Sequence, residues 1–355
     1  MKWKEDWEMS RRRLVAFWDR EIVDRCCVSV IVTDQRYQEA PMGETQEERR
    51  KWYMDPAMVY ERCRNKFDRT YFGGDGFPCI WPNLGTVGHA KYFGINSFVY
   101  MPETIWFEPV IHDWEKDRIG FNEDSPALAE DLAVVSELCR LAGGDMMVSM
   151  PDNCGNLDAL SLLRGEELLI DFYEYPDEIE RALGEISRAY RHAQAKLFNI
   201  IKDNNEGGCT HGWMNSWAPG TFAQLQADIS VMLSPKLFEK FVLPELEELT
   251  GFLDYSAYHL DGMEQIRHLD MLLSLKKLDI VQWTSVAGQP KASEFLDVLK
   301  RIQAAGKCLI LYPELDEIEL LMRELSSYGL YLIVRTADSR EQAIDIIKTV
   351  ERLTH

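Results

Sequence analysis

Tyr255-Ser256-Ala257-Tyr258-His259-Leu260-Asp261-Gly262 is an apolar, β-rich run that ends in His-x-Asp-Gly and leads into a helical pattern over 263–273. Alternate residues of a strand face the same way, so His259 and Asp261 share one side. A strand that ends in two such groups and turns into a helix is the repeating unit of barrel enzymes, which keep their chemistry at strand C-terminal ends. The same two residues could instead cap and brace the following helix. The surroundings built by the rest of the chain decide between these readings.

Seven further short apolar runs recur along the chain, each followed by a longer helical pattern. Together the eight runs span 26–32, 77–81, 146–150, 208–213, 255–260, 278–283, 308–312 and 330–334. Ser234-Pro235-Lys236 starts a helix, with Ser234 as N-cap and Pro235 at the first helical position. The stretch 291–305 is amphipathic and stops at Gly306. A further helix covers 315–326 and the last opens near Asp338. Strands that alternate with helices pair in parallel. Eight such units predict an α/β fold, a single (β/α)8 TIM barrel over 1–355, rather than an open sheet. Long insertions follow the first two strands, at 35–72 and 85–145, and hold the material for pocket walls or a dimer surface.

With 355 residues, 46% of them hydrophobic, and ten Trp, the chain can bury a large core. Its formal net charge of -20 makes nucleic acid and acidic membranes poor partners. No apolar run approaches the roughly 20 residues that cross a bilayer. The opening Met1-Lys2-Trp3-Lys4-Glu5-Asp6 lacks the apolar stretch of a signal peptide. The eight cysteines form no CxxC pair. A reduced, cytoplasmic protein with free thiols is expected.

Several segments, in order, resemble the uroporphyrinogen decarboxylase superfamily. Arg12 through Glu21-Ile22-Val23-Asp24-Arg25 is similar to its first basic helix, which ends in E-x-x-D-R before the first strand. Leu157-Asp158-Ala159-Leu160, then Arg164-Gly165-Glu166-Glu167-Leu168-Leu169-Ile170-Asp171 and Pro176-Asp177-Glu178, resemble its mid-chain segment. Asp228-Ile229-Ser230 and Ser234-Pro235-Lys236-Leu237-Phe238 look like its approach to the fifth strand. His259-Leu260-Asp261-Gly262 stands where its corrinoid-linked methyltransferase branch carries His-x-Cys-Gly. The resemblance implies one of two chemistries: decarboxylation of a porphyrinogen without a cofactor, or methyl transfer between a small substrate and a corrinoid at a zinc held by His and two Cys.

Uroporphyrinogen carries eight carboxylates and needs a cationic clamp. Here the first strand is followed by Thr33-Asp34-Gln35-Arg36-Tyr37, with one Arg and a repelling Asp. Uroporphyrinogen itself is therefore disfavoured. For methyl transfer only His259 maps onto the family's zinc ligands. Asp261 replaces the first Cys, and Val334-Arg335-Thr336-Ala337-Asp338 holds no later one. A substitute set is at hand: Cys209-Thr210-His211 ends the fourth strand, so Cys209, His211, His259 and Asp261 are candidate ligands for one divalent metal, zinc first. His211 could equally bond a neighbouring loop, and Cys209 could be core.

Other strand-end residues supply candidate contacts. Asp152 and Asn153 follow strand three, Gln282 and Trp283 strand six, and Glu314 strand seven; Trp81 and Trp213 offer aromatic walls for a flat or methylated ligand. Arg335 could clamp a substrate carboxylate or pair with Glu314 or Asp338. Asp228 serves a helix N-terminus or orients a ligand His. Three functions remain open. The first is a methyltransferase on a small methylated substrate with a corrinoid protein as partner. The second is a metal-free decarboxylase or lyase, in which Arg335 holds the carboxylate and Asp34 or His259 moves the proton. The third is a barrel that binds without turnover. A homodimer is a plausible assembly.

Overall fold

The computed structural model describes residues 1–85, 87–95 and 97–355. Its strands are β1 (Cys27–Thr33), β2 (Thr70–Gly74), β3 (Cys79–Ile80), β4 (Val99–Tyr100), β5 (Ile105–Trp106), β6 (Met147–Val148), β7 (Cys209–His211), β8 (Ser216–Ala218), β9 (Phe222–Leu225), β10 (Tyr255–Asp261), β11 (Ile280–Thr284), β12 (Cys308–Leu311) and β13 (Leu330–Val334). The main sheet runs in the order β2-β1-β13-β12-β11-β10-β9. Every pair in it is parallel except β1 with β2. Strands β12 and β13 are buried at every position, as strands covered on both faces must be.

Each of the eight expected runs overlaps a strand, and three features depart from expectation. β2 folds back antiparallel on β1, pairing Ser29 with Gly74 and Thr33 with Thr70. β9 is an additional parallel strand, in register with β10 from Phe222 opposite Tyr255 to Leu225 opposite Tyr258. β3 and β6 are two residues each and pair in a separate parallel ladder, which a single bridge from Met150 to His211 extends to β7. Pro78, Pro82 and Pro151 flank these short strands and remove the donors a longer ladder would need. The fold is thus mixed α/β on a largely parallel sheet, and no unbroken eight-strand ladder runs through the described residues.

Side chains bridge one interruption. Asn215 Oδ1 accepts from the Phe77 N–H at 3.2 Å and from Ser29 Oγ at 3.3 Å, while its Nδ2 donates to the Phe77 carbonyl at 2.9 Å. One buried amide therefore does for β1 and the approach to β3 what a backbone ladder would do. Tyr331 on β13 donates to the Asn215 carbonyl at 2.7 Å and holds that amide in place.

Helices cover the sheet. The longest, Pro176–Ile201, buries Ile179, Ala182, Ile186, Ala189, Ala193 and Leu197 along one stripe, the spacing of an amphipathic helix on a core. Ser234 caps its helix by accepting from the Leu237 N–H, with Pro235 at the start, as expected. At the N-terminal end of β1, buried Asp75 takes Arg25 at 2.6 Å and Arg13 at 3.2 Å, and Arg13 also holds Asp24. The charged Asp24-Arg25 motif is therefore a structural staple; stripping one partner from such a buried group costs about 3–5 kcal/mol. No helix among the described residues is long and apolar enough to cross a membrane.

Candidate metal centre and its cavity

β10 delivers His259 and Asp261 to one cavity, while the intervening Leu260 is fully buried on the other side. On β11, Gln282 lies opposite His259 in the parallel register. Gln282 Nε2 donates to the Trp283 carbonyl at 2.6 Å and to Thr284 Oγ1 at 2.7 Å. Its Oε1 therefore faces His259 Nδ1, and the two are hydrogen-bonded. A ring nitrogen that meets an amide oxygen must carry the proton, so Nε2 keeps its lone pair. Burial lowers the His259 pKa, against the pull of Asp261 and Gln282, which favours the neutral ring.

The third group comes from the strand that sequence patterning passes over. Gln226 and Asp228 follow the C-terminal end of β9, beside β10. Gln226 Nε2 donates to Asp228 Oδ2 at 2.8 Å, and Asp228 Oδ1 is buried without a hydrogen bond inside the protein. Asp158, on helix Asn156–Arg164, accepts from the Asp228 and Ile229 N–H groups at 3.0 and 2.9 Å. That pair fixes the turn on which Asp228 sits. Gly155 allows the approach: a Cβ there would lie 2.0 Å from the Gln226 carbonyl oxygen.

Ligand atoms of Asp228, His259 and Asp261 lie within 4.8 Å of one another. His259 Nε2 and Asp261 Oδ1 are 3.6 Å apart. Two ligands on a tetrahedral ion with bonds of about 2.0–2.2 Å stand about 3.4 Å apart. An N/O/O trio with one orphaned carboxylate oxygen and a fixed imidazole tautomer suits a divalent cation with an open position. Burial raises Asp228 to about 8, and Asp158, Asp261 and Asp152 add to it. Burial likewise lifts Asp152 to about 6, with help from Asp158.

The cavity encloses about 1420 Å³. Its wall carries six carboxylates, from Asp152, Asp158, Glu166, Asp228, Asp261 and Glu314, against one guanidinium, Arg335. Trp213 and Tyr312 supply aromatic surface, and Leu162, Leu169 and Met232 apolar surface. Of the residues expected from the sequence, His259, Asp261, Asp152, Trp213, Glu314 and Arg335 line this cavity, and Gln282 supports it from beneath.

The others lie elsewhere. Asp34 is turned outward because its N–H continues the antiparallel ladder to the Arg69 carbonyl. Arg36 grips its carboxylate at 2.7 and 3.0 Å and holds its pKa below the usual range. Trp283 alternates away from Gln282, is buried, and packs on Phe295 with ring centroids 4.7 Å apart. Trp81 lies over Gly212, where a Cβ would meet its ring at 2.4 Å, and Asn153 is buried behind the wall. His211 is buried outside the ligand cluster, edge-on to Trp213, whose ring also meets His259. Burial pushes its pKa down to about 3. Cys209, two residues lower on β7, turns its Sγ to the Phe222 carbonyl at 3.2 Å, and burial pushes the thiol up to about 12. Arg335 pairs with neither Glu314 nor Asp338. It donates to the Trp213 carbonyl at 2.5 Å and stacks 4.0 Å over the Tyr312 ring.

Sequence reading missed Asp228 as a ligand, together with Asp158 and Tyr312 in the wall. The usable signal was Gln224-x-Gln226-x-Asp228, an alternation that a strand over 222–225 carries to its end.

No protein-family model matches the sequence, and no curated protein does. Among solved structures the chain is similar to a methyltransferase from Methanosarcina mazei, with TM-score 0.60. The match covers 97% of this chain and 98% of that one at 14% identity. A likeness at this identity extends to the fold, which the two chains share over nearly their whole length.

Proposed function

We propose that the chain is a (β/α)8-barrel enzyme of the uroporphyrinogen decarboxylase superfamily and a metal-dependent methyltransferase. It would act on a small methylated substrate, with a corrinoid protein as partner. The Asp228/His259/Asp261 cluster is the observation that carries this reading. The likeness to a methanogen methyltransferase supports it, as does a cavity larger than the roughly 300–1,000 Å³ of ordinary small-molecule sites, which leaves room for a partner's large prosthetic group. His259 Nε2, Asp228 and Asp261 would hold the ion, zinc being the first candidate. Bound there, a divalent cation supplies Lewis acidity toward the heteroatom that exchanges the methyl group. Gln282 keeps the imidazole in its ligand tautomer, Asp158 sets the turn that presents Asp228, and Trp213 walls the substrate.

Decarboxylation of an acid held by Arg335 finds less support. Arg335 is engaged by a carbonyl and a ring, and a carboxylate would enter a wall that holds six carboxyl groups. The test is formation of methylcob(III)alamin from cob(I)alamin, with zinc-loaded protein and methyl ether, thioether or ammonium donors. Turnover that disappears in His259→Ala is expected. No turnover with any donor class, with zinc bound, would overturn the reading.

A further inference from the structure

The cavity wall is one-sided in charge beyond what a metal would use. If Asp228 and Asp261 serve a divalent ion, their charges are met, and Asp152, Asp158, Glu166 and Glu314 remain. Asp158 is occupied by two backbone N–H groups. Asp152 is different: its Oδ1 is buried on the cavity wall and bonded to nothing within the protein. The only cation on the wall among the described residues, Arg335, stands 4.0 Å over the Tyr312 ring, so this protein already seats a positive group on a cavity ring. Trp213 shares the cavity with that pair, its ring centroid 6.3 Å from that of Tyr312 and 5.0 Å from that of His259. Aromatic rings and an unmatched carboxylate on the wall of one cavity attract an organic cation and repel an anion.

Resting on the reading of this cavity as the substrate site, we infer that the substrate class is a methylated ammonium compound, seated against Trp213 with Asp152 as its counter-charge. A quaternary ammonium offers no lone pair while it stays charged, so it does not compete with the protein's ligands for the metal; a metal at the cluster would meet the nitrogen only through the amine lone pair released when the methyl group leaves for the corrinoid. Neutral ethers and carboxylates would lose the contribution of Asp152, and carboxylates would be opposed by the whole wall.

Calorimetric titration of the full chain with three probes of one shape tests this: choline, its neutral carbon isostere 3,3-dimethylbutan-1-ol, and the anion 3,3-dimethylbutanoate. Choline is expected to bind about tenfold more tightly than the neutral isostere, and the anion not at all. Asp152→Asn and Trp213→Leu should each remove most of that preference while leaving zinc binding in place. Equal binding of choline and the alcohol, or preference for the anion, would overturn the inference even if zinc binds at the Asp228 cluster. Choline preference without zinc binding would uphold the inference and count against the metal reading alone.

Discussion

Asp261 and Asp34 occupy equivalent places on two strands of one parallel sheet, and they have opposite fates. Asp261 closes β10, and Asp34 follows the last residue of β1. Asp34 is answered locally by Arg36, two residues along the chain. Asp261 has as neighbours a histidine that offers a lone pair and a second carboxylate with a bare oxygen. The backbone makes the difference. Antiparallel β2 pairs with the end of β1, and the Asp34 N–H continues that ladder, whereas parallel β9 and β11 flank β10, the first leading to Asp228 beside Asp261 and the second setting Gln282 against His259. A strand-end carboxylate is left free to serve as a ligand where its neighbours run parallel and bring no cation of their own.

The sharpest way to break this contrast is to remove the nitrogen ligand. His259→Ala should lower zinc affinity by more than about a hundredfold, beyond the loss expected from a supporting partner, as read by competition with a chromogenic chelator. Unchanged affinity would place the ion elsewhere. Gln282→Leu leaves all three ligands and removes what fixes the His259 tautomer, along with the bonds of Gln282 to Trp283 and Thr284; affinity should fall about 10–100-fold. Gly155→Ala probes the close approach that brings Asp158 under Asp228. Its Cβ would meet backbone, so chemical denaturation should show a loss of about 1–3 kcal/mol, and a neutral result would mean the two segments can part without cost.

Charge crowding gives a weaker, pH-dependent signature. Burial raises Asp228 and Asp152 in the folded chain relative to the unfolded one. Below about pH 7 the buried histidines, His211 and His259 among them, act in the opposite sense, because burial lowers their pKa; above it Asp228 still holds a proton that the unfolded chain has lost, so stability falls as pH rises through about 8. Without divalent metal, Tm should decline from about pH 7.5 to pH 9. Zinc should restore it most at the alkaline end, where no proton competes for Asp228. Asp228→Asn should flatten the profile, and a Tm that climbs steadily over this range would contradict the crowding.

The same contrast explains what could be read from the sequence. β12 and β13 were legible because strands buried on both faces are continuous apolar runs, β10 and β11 because apolar residues dominate them, and each leads into a helix. His259 and Asp261 followed from period two alone. The same rule puts Gln282 and Trp283 on opposite faces, so only one of them could serve the cavity. β9 was not legible: Phe222-Ala223-Gln224-Leu225 is four residues long, carries a polar Gln, and follows a hairpin rather than a helix. Losing that strand hid Asp228, since a strand-end residue is visible only once its strand is. β2 was hidden for a different reason: it begins inside the segment 35–72, which reads as an insertion, and its last two residues are the glycines Gly73 and Gly74. Cys209 and His211 do end a strand, but both are buried, neither lines the cavity, and neither belongs to the ligand cluster.

The most direct test compares the two carboxylate environments in one experiment: metal content after zinc loading and gel filtration, by mass spectrometry, for wild type, Asp228→Asn and Asp34→Asn. One equivalent of zinc in wild type and in Asp34→Asn, and none retained in Asp228→Asn, is the result expected of a centre built where β9 and β10 end. Zinc absent from the wild type, or held equally by Asp228→Asn, would contradict it.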